Sequence, residues 1–180
     1  MRDFSLYMGG RPVGGASVMS VVNPATEEPV AVCPRADEAQ LNEAVAAAKD
    51  AFPSWAATPI ADRRALLLQL AEKIKSRSEE IARLLTQEQG KTIKDAREEV
   101  MGASFSISAL ASLDITQKVL RDDETGMILS VRTPLGVVAV ITPWNAPILL
   151  LATKVTPALL AGNTVVIKPA PTTPLTSLVF

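Results

Sequence analysis

The sequence predicts an α/β fold: an N-terminal β-hairpin region and helices, followed by the opening strands of a parallel sheet. Three observations predict it. Residues 1–34 hold short apolar runs broken by glycine and proline, the pattern of paired strands. Residues 37–113 carry apolar side chains at helical spacing. Residues 137–169 then read as strand, turn, helix, strand, which is a βαβ unit.

In order along the chain, Tyr7-Met8-Gly9-Gly10-Arg11 reads as a turn between short strands, and Gly14-Gly15 as a second turn. Val21-Val22-Asn23-Pro24 closes a strand, and Pro29 to Val32 is its return. Asp37 with Gln40 three residues later has capping-box spacing. Leu41, Ala44, Val45 and Ala48 then share one helical face. Thr58-Pro59 predicts a second start, a hydroxyl cap followed by proline where its missing N–H is harmless. Leu66, Leu67, Leu70 and Ile74 form the stripe of that helix. Ile81, Leu84 and Leu85 form the next, which ends at Gly90. A fourth helix is expected from about Lys94 to Leu113. The charges on all four read as solvated faces.

The polar run from Arg121 to Gly126 reads as a turn and a boundary, and Met127 to Arg132 as an exposed or pairing strand. Val137 to Ile141 is a β-branched run without a polar residue, as in a strand covered on both faces. Asn145-Ala146-Pro147 starts a helix that ends at Gly162-Asn163, with a kink expected near Thr153 from Pro157. Thr164 to Ile167 is the second buried strand, and Thr173-Pro174 opens another helix. Average sheets have ~5–6 strands, so the chain reads as cut within a domain.

Composition narrows the function. The 180 residues, 48% hydrophobic, are enough to bury a core. Lys and Arg number 18 against 19 Asp and Glu, so no basic surplus exists to hold nucleic acid. The start, Met1 to Gly10, has no apolar stretch of the secretory kind. The apolar run from Ala146 to Val155 is far short of the ~20 residues that span a membrane. A single cysteine, Cys33, fits a cytoplasmic protein. With no histidine in the chain, histidine-based triads and histidine metal sites within it are excluded, and no metal is expected.

In a parallel βαβ unit both strands end on one edge, where α/β proteins bind ligands. Asn145 follows the first strand and Lys168 ends the second. Neighbouring strands lie about 4.8 Å apart, so both side chains can reach one crevice. Asn145 has two readings, a helix N-cap or an amide donor to a developing oxyanion; spacing alone leans to the cap. Trp144 reads as core or pocket wall. Lys168 reads as a solvated lysine or a donor to ribose and phosphate. Neither a GxGxxG nor a GxxxxGK[ST] motif is present.

The order Ile141-Thr142-Pro143-Trp144-Asn145, Lys154, Pro157-Ala158-Leu159, Ala161-Gly162-Asn163-Thr164 and Lys168-Pro169-Ala170 resembles the aldehyde dehydrogenase superfamily. Glu88-Gln89-Gly90-Lys91 and Glu99-Val100 match its order upstream, so the resemblance covers nearly the whole chain. It implies an NAD(P)-dependent enzyme that oxidises a small aldehyde to a carboxylic acid. By that resemblance Asn145 is the oxyanion-hole amide, and Lys154 is a helix lysine near the nicotinamide with a supporting or proton-relay role. Ile141, Thr142, Pro143 and Trp144 line the cofactor cleft together with Ala170 and Pro171, and Lys168 holds the adenosine ribose. Pro171 stands where many NAD-preferring relatives carry a ribose-binding glutamate, so NADP is expected to be accepted beside NAD.

The resemblance also implies an organisation. Residues 1–125 are the N-terminal strands and helices of the cofactor-binding domain, and 126–136 an oligomerisation-type β arm. Residues 137–180 are the first βαβ of a Rossmann-like domain. A homo-oligomer, dimer or tetramer, is expected of the full-length form. Family members are more than twice as long, and the nucleophilic cysteine, the general-base glutamate and the catalytic domain are expected beyond Phe180. Cys33 lies too early in the order to be that nucleophile. The 180 residues alone are therefore expected to be inactive. Two other readings remain open: a truncated, non-catalytic piece that only binds or oligomerises, and part of a CoA-acylating relative.

Overall fold

The computed structural model describes residues 4–180. Two antiparallel hairpins open the chain: β1 (Leu6–Met8) with β2 (Arg11–Val13), and β3 (Ser17–Val22) with β4 (Pro29–Arg35). Four helices follow: α1 (Glu38–Ala57), α2 (Ile60–Ser76), α3 (Ser78–Gln89) and α4 (Ile93–Ala111). A third hairpin, β5 (Lys118–Asp123) with β6 (Gly126–Ser130), precedes the unit β7 (Val137–Ile141), α5 (Pro147–Leu160), β8 (Thr164–Lys168). The short α6 (Leu175–Leu178) lies near the end.

The main core is where α2, α3, α4 and α5 meet. Leu67, Ile74, Ile81, Leu85, Val100, Ile107 and Ile148 are all at most 2% exposed there. Each such side chain contributes roughly 1.5–3 kcal/mol of burial. Alanines at 71, 96, 103 and 152 let the helices approach closely. A second cluster, Val21, Ala31, Cys33, Leu84 and Leu175, ties the β3–β4 hairpin to α3 and α6. A third, Val140, Leu151 and Val155, seats α5 on the parallel pair. β7 and β8 are parallel and in register from Val137↔Thr164 to Ile141↔Lys168.

Helix ends follow the expected chemistry in part. The Asp37 side chain accepts from the Gln40 N–H at 2.8 Å. The Gln40 side chain does not return to Asp37; it accepts from Ala16 N–H and donates to the Gly14 carbonyl, both at 2.8 Å. It thereby pins the Gly14-Gly15 connection to α1. Gly90 ends α3 at φ 87°, and a Cβ there would meet Pro24 Cγ at 2.6 Å, so both conformation and space require glycine. Gly162, at φ 90°, ends the turn after α5.

Several expectations are corrected. Thr58 does not cap α2; its hydroxyl donates to the Ser54 carbonyl at 3.0 Å, as part of the C-terminus of α1. Leu41 and Leu66 belong to the apolar stripes by spacing but are 50% and 49% exposed. The buried line of α2 runs Arg63, Leu67, Ala71, Ile74 instead. Arg121 to Asp123 is the end of β5, not a turn; only Glu124 and Thr125 lie between the paired strands. β7 and β8 are not covered on both faces: in β7 only Val140 is buried, and Ile141 is 70% exposed. α6 has no side-chain cap from Thr173 or Pro174.

Not all helix charges are solvated. Arg63 is 8% exposed and collects carbonyls at two helix ends. It donates to Leu160 at 3.0 Å, to Ala56 at 3.2 Å and to Thr58. A cation suits the negative ends of α5 and α1. Asn163, 6% exposed, closes the other side of the same junction. Its side-chain oxygen accepts from Leu135 N–H at 2.6 Å and Gly136 N–H at 3.0 Å, while its amide donates to the Ala158 carbonyl at 3.1 Å. Glu88, 3% exposed, accepts from Leu175 N–H at 2.7 Å, Thr176 N–H at 2.9 Å and the Thr176 hydroxyl. It holds the start of α6.

Asn163→Ala strands two backbone N–H groups ahead of β7 and should destabilise the chain by about 2–3 kcal/mol. Asn163→Asp keeps the acceptors and should lose less. The urea midpoint at unchanged slope measures this; an alanine variant within about 0.5 kcal/mol of the parent would contradict it.

Burial pushes the Glu88 carboxyl from 4.5 up to about 7, outweighing the hydrogen bonds from Thr176 and Leu175 that pull it down. The folded chain thus holds this proton more tightly than the unfolded chain. The stability it brings is complete below pH 4.5 and is lost as pH rises to about 7, by roughly 3 kcal/mol. The stability difference between the parent chain and Glu88→Gln should therefore fall across that window; a difference flat with pH would refute the assignment.

Candidate functional site

The carboxyl ends of β7 and β8 form the site. Their last residues, Ile141 and Lys168, are direct neighbours in the parallel register. Thr142 N–H donates to the Lys168 carbonyl at 3.2 Å, which carries the pairing one step past the strand end. The chain then turns through Pro143, Trp144 and Asn145 into α5. Pro147 stands at the first turn of α5, where proline needs no N–H partner. Asn145 and Lys168 accordingly lie on one edge, as the parallel pattern predicts.

Asn145 is not the N-cap. That position is Ala146, and it provides no side-chain cap. The first free N–H groups of α5 are taken by Glu99 of α4: its Oε1 accepts from Ile148 N–H at 3.0 Å and from Leu149 N–H at 3.3 Å. The other oxygen of Glu99 pairs with Lys91 Nζ, which also donates to the backbone carbonyl of Asn145 at 3.0 Å. The Glu99 side chain is 5% exposed and the Lys91 side chain 16%, so this pair is shielded from water. The Asn145 side chain is left exposed and, among the described residues, its carboxamide has no hydrogen bond.

Glu99 and Lys91 are the neighbours of the site that spacing arguments missed. One signal was available. Glu99 falls on the same helical face as Ala96, Val100, Ala103 and Ile107, all 0% exposed. A carboxylate on an apolar stripe needs a buried partner.

The other predicted residues divide. Ile141, Pro143 and Trp144 are exposed at the edge, with Trp144 60% exposed. The Thr142 hydroxyl is buried without a partner. Lys168 is exposed, and its Nζ donates to the Pro169 carbonyl at 3.2 Å. Ala170 is 8% exposed beneath the edge, and Pro171 is exposed beside it. Trp144 and Pro171 meet in an open groove of about 480 Å³ that also touches Val22, Glu88 and Thr173. Lys154 stands apart. It is exposed in the middle of α5, seven residues past Pro147, about 10 Å along the helix axis.

This donor set fits a dinucleotide. Lys168 has three N–H donors and spends one on Pro169. Apolar surface from Ile141, Pro143 and Trp144 flanks it, and no carboxylate stands at 171 to repel a phosphate. Among the described residues no group of three or more Cys, Asp or Glu is arranged to hold a metal. Cys33 is no nucleophile: burial, aided by Glu88, pushes its thiol up to about 11, whereas a nucleophilic cysteine needs its thiolate at neutral pH.

Comparison with known proteins agrees with this geometry. The family model described as "Aldehyde dehydrogenase family" matches residues 13–180. A probable aldehyde dehydrogenase of Pseudomonas sp is 41% identical over 145 residues, covering 81% of this chain and 30% of that protein. The crystal structure of PnpE in complex with nicotinamide adenine dinucleotide superposes with TM-score 0.92 at 38% identity, covering 97% of this chain and 37% of that one. The structure of 3,6-anhydro-L-galactose dehydrogenase in complex with NAP gives TM-score 0.90 at 33% identity, covering 97% and 38%. The chain thus spans about a third of the length of these relatives. Sequence, fold and the arrangement of the β7–β8 edge agree: the chain belongs to the aldehyde dehydrogenase family.

Proposed function

We propose that this chain provides the oxyanion amide and one wall of the cofactor cleft for an NAD(P)-dependent oxidation of a small aldehyde to a carboxylic acid. The observation that carries this reading is the free carboxamide of Asn145 on the same sheet edge as Lys168. A side-chain amide with no internal partner, held on a backbone that is itself anchored, can donate to negative charge developing on an aldehyde oxygen. Preorganisation is what gives such a donor its effect, and Lys91 holds the backbone that carries this one.

NAD(P), when bound, would supply the hydride acceptor for the substrate carbon. The chain's own residues bind and orient it. Lys168 donates to ribose hydroxyls or phosphate oxygens, and Ile141, Thr142, Pro143 and Trp144 form the wall against which it lies, with Ala170 and Pro171 below. Pro171 offers neither a hydrogen bond to a 2′-hydroxyl nor repulsion to a 2′-phosphate, so both NAD and NADP are taken. Lys154, distant from the edge, acts from the flank of α5 as a supporting residue. The nucleophile is not Cys33, whose thiol is buried.

We place the protein in the cytoplasm, as a homo-oligomer joined through the β5–β6 hairpin. Every residue of both strands is exposed, and Val119, Leu120, Met127, Ile128 and Leu129 are between 40% and 64% exposed. A two-stranded ribbon with apolar side chains on its surface is poorly stable alone and presents unpaired edges to another copy.

Three outcomes follow. In an enzyme form that also carries the catalytic cysteine, Asn145→Ala should lower kcat of aldehyde-dependent NAD(P)H formation by about 10²–10³ with little change in cofactor affinity; an unchanged kcat would refute the oxyanion role. In the same form NAD and NADP should bind within about tenfold of each other, and Pro171→Glu should weaken NADP selectively by like-charge repulsion; a strong NAD preference in the parent would contradict this. Leu120→Lys together with Ile128→Lys should shift sedimentation toward the monomer, and an unaltered profile would reject the hairpin as the interface.

A further inference from the structure

Glu99 has a role beyond packing. It is a carboxylate on the apolar face of α4, and such a group is retained only when its partners are good. Two of its three partners, Ile148 and Leu149, begin α5 beside Asn145, and the third, Lys91 of the α3–α4 connection, reaches the Asn145 carbonyl. Ile148 and Leu149 are the first residues of α5 with N–H groups to satisfy, and Lys91 grips the Asn145 carbonyl. The N-terminus of α5 is the positive end of its dipole, which favours the anion further.

This arrangement settles a competition. Asn145 stands one residue before the N-cap position of α5, close in sequence to that helix's free N–H groups. If it accepted from them, its side-chain oxygen would be engaged and the amide turned toward α5. Glu99 removes the vacancy by filling it from another helix. Lys91 then holds the Asn145 carbonyl, so the residue keeps its place although its side chain has no hydrogen bond among the described residues.

We infer that Glu99, acting through the α5 N–H groups and through Lys91, is a positioning residue that keeps the Asn145 carboxamide out of hydrogen bonds with the helix it precedes. The inference rests on the proposed oxyanion role for its purpose, but its geometry is testable without activity. Glu99→Gln exchanges one anionic acceptor for an amide that can no longer serve both α5 and Lys91. Lys91→Met removes the grip on the Asn145 carbonyl and leaves the two α5 bonds in place.

The test is side-chain amide NMR on the ¹⁵N-labelled 180-residue chain, with the Asn145 NH₂ pair assigned by its loss in Asn145→Asp. The expected result is that both Glu99→Gln and Lys91→Met move the Asn145 pair, while the exposed control Glu98→Gln does not. Amide exchange at Ile148 and Leu149 should accelerate by about tenfold or more in Glu99→Gln only. An Asn145 pair unmoved in folded Glu99→Gln and in Lys91→Met would overturn the inference. If Glu99→Gln fails to fold, Lys91→Met decides alone by the same signal. Kinetics of Asn145→Ala in the cysteine-bearing form judge the oxyanion role separately: an unaffected kcat sinks that role, while the NMR result still stands or falls for Glu99.

Discussion

The buried carboxylate of Glu99 is the interaction on which the site's geometry depends. A helix that begins at a sheet edge arrives with N–H groups that need acceptors. Here the acceptor comes from α4, across the helical core, and not from the turn itself. Hydrogen bonds to a charged group are worth about 1.5–3 kcal/mol each. Removing one partner of a shielded ion pair costs more, because the other is left uncompensated. The Lys91–Glu99 pair with its bonds into α5 is therefore among the strongest single constraints between α4 and the β7–β8 edge. It places the turn after β7 by fixing what lies on both sides of it.

The same device recurs elsewhere in the fold. Arg63 gathers the carbonyl ends of α1 and α5, Asn163 holds the approach to β7, and Glu88 holds the start of α6. Each is a polar side chain buried within or beside an apolar layer, and each serves backbone groups from another element. The apolar contacts among α2, α3, α4 and α5 supply most of the stability, as hydrophobic burial does in general. These polar clamps supply direction. They define where each helix starts or stops relative to the parallel pair, and hence where the residues after β7 and β8 point.

Much of this was legible from the sequence, for a local reason. The βαβ unit is written in short-range signals: β-branched runs at Val137 to Ile141 and Thr164 to Ile167, proline at the first turn of α5, and glycine just past its end. Parallel pairing follows from the intervening helix, and the shared edge of Asn145 and Lys168 follows from parallel pairing. What was not legible is what depends on a distant partner. Helical spacing places Leu41 and Leu66 on apolar stripes but cannot say whether another element covers them. It assigned Glu88, Glu99 and Arg63 to solvated faces, since a charge on a helix is usually solvated and a key partner of each (Leu175, Ile148 and Leu160) lies far away in sequence. Asn145 looked like a cap because its competitor stands 49 positions before the N–H group it satisfies. The polar run after Arg121 looked like a turn because aspartates disfavour strands, whereas pairing with β6 overrides that preference.

One measurement tests the central claim most directly: an experimental crystal structure resolved well enough to place side-chain oxygens at the start of α5. The account predicts a Glu99 carboxylate oxygen about 3 Å from the nitrogens of Ile148 and Leu149, Lys91 against the Asn145 carbonyl, and the Asn145 amide free beside Lys168. An Asn145 side chain bonded to those two nitrogens, with Glu99 turned elsewhere, would contradict it.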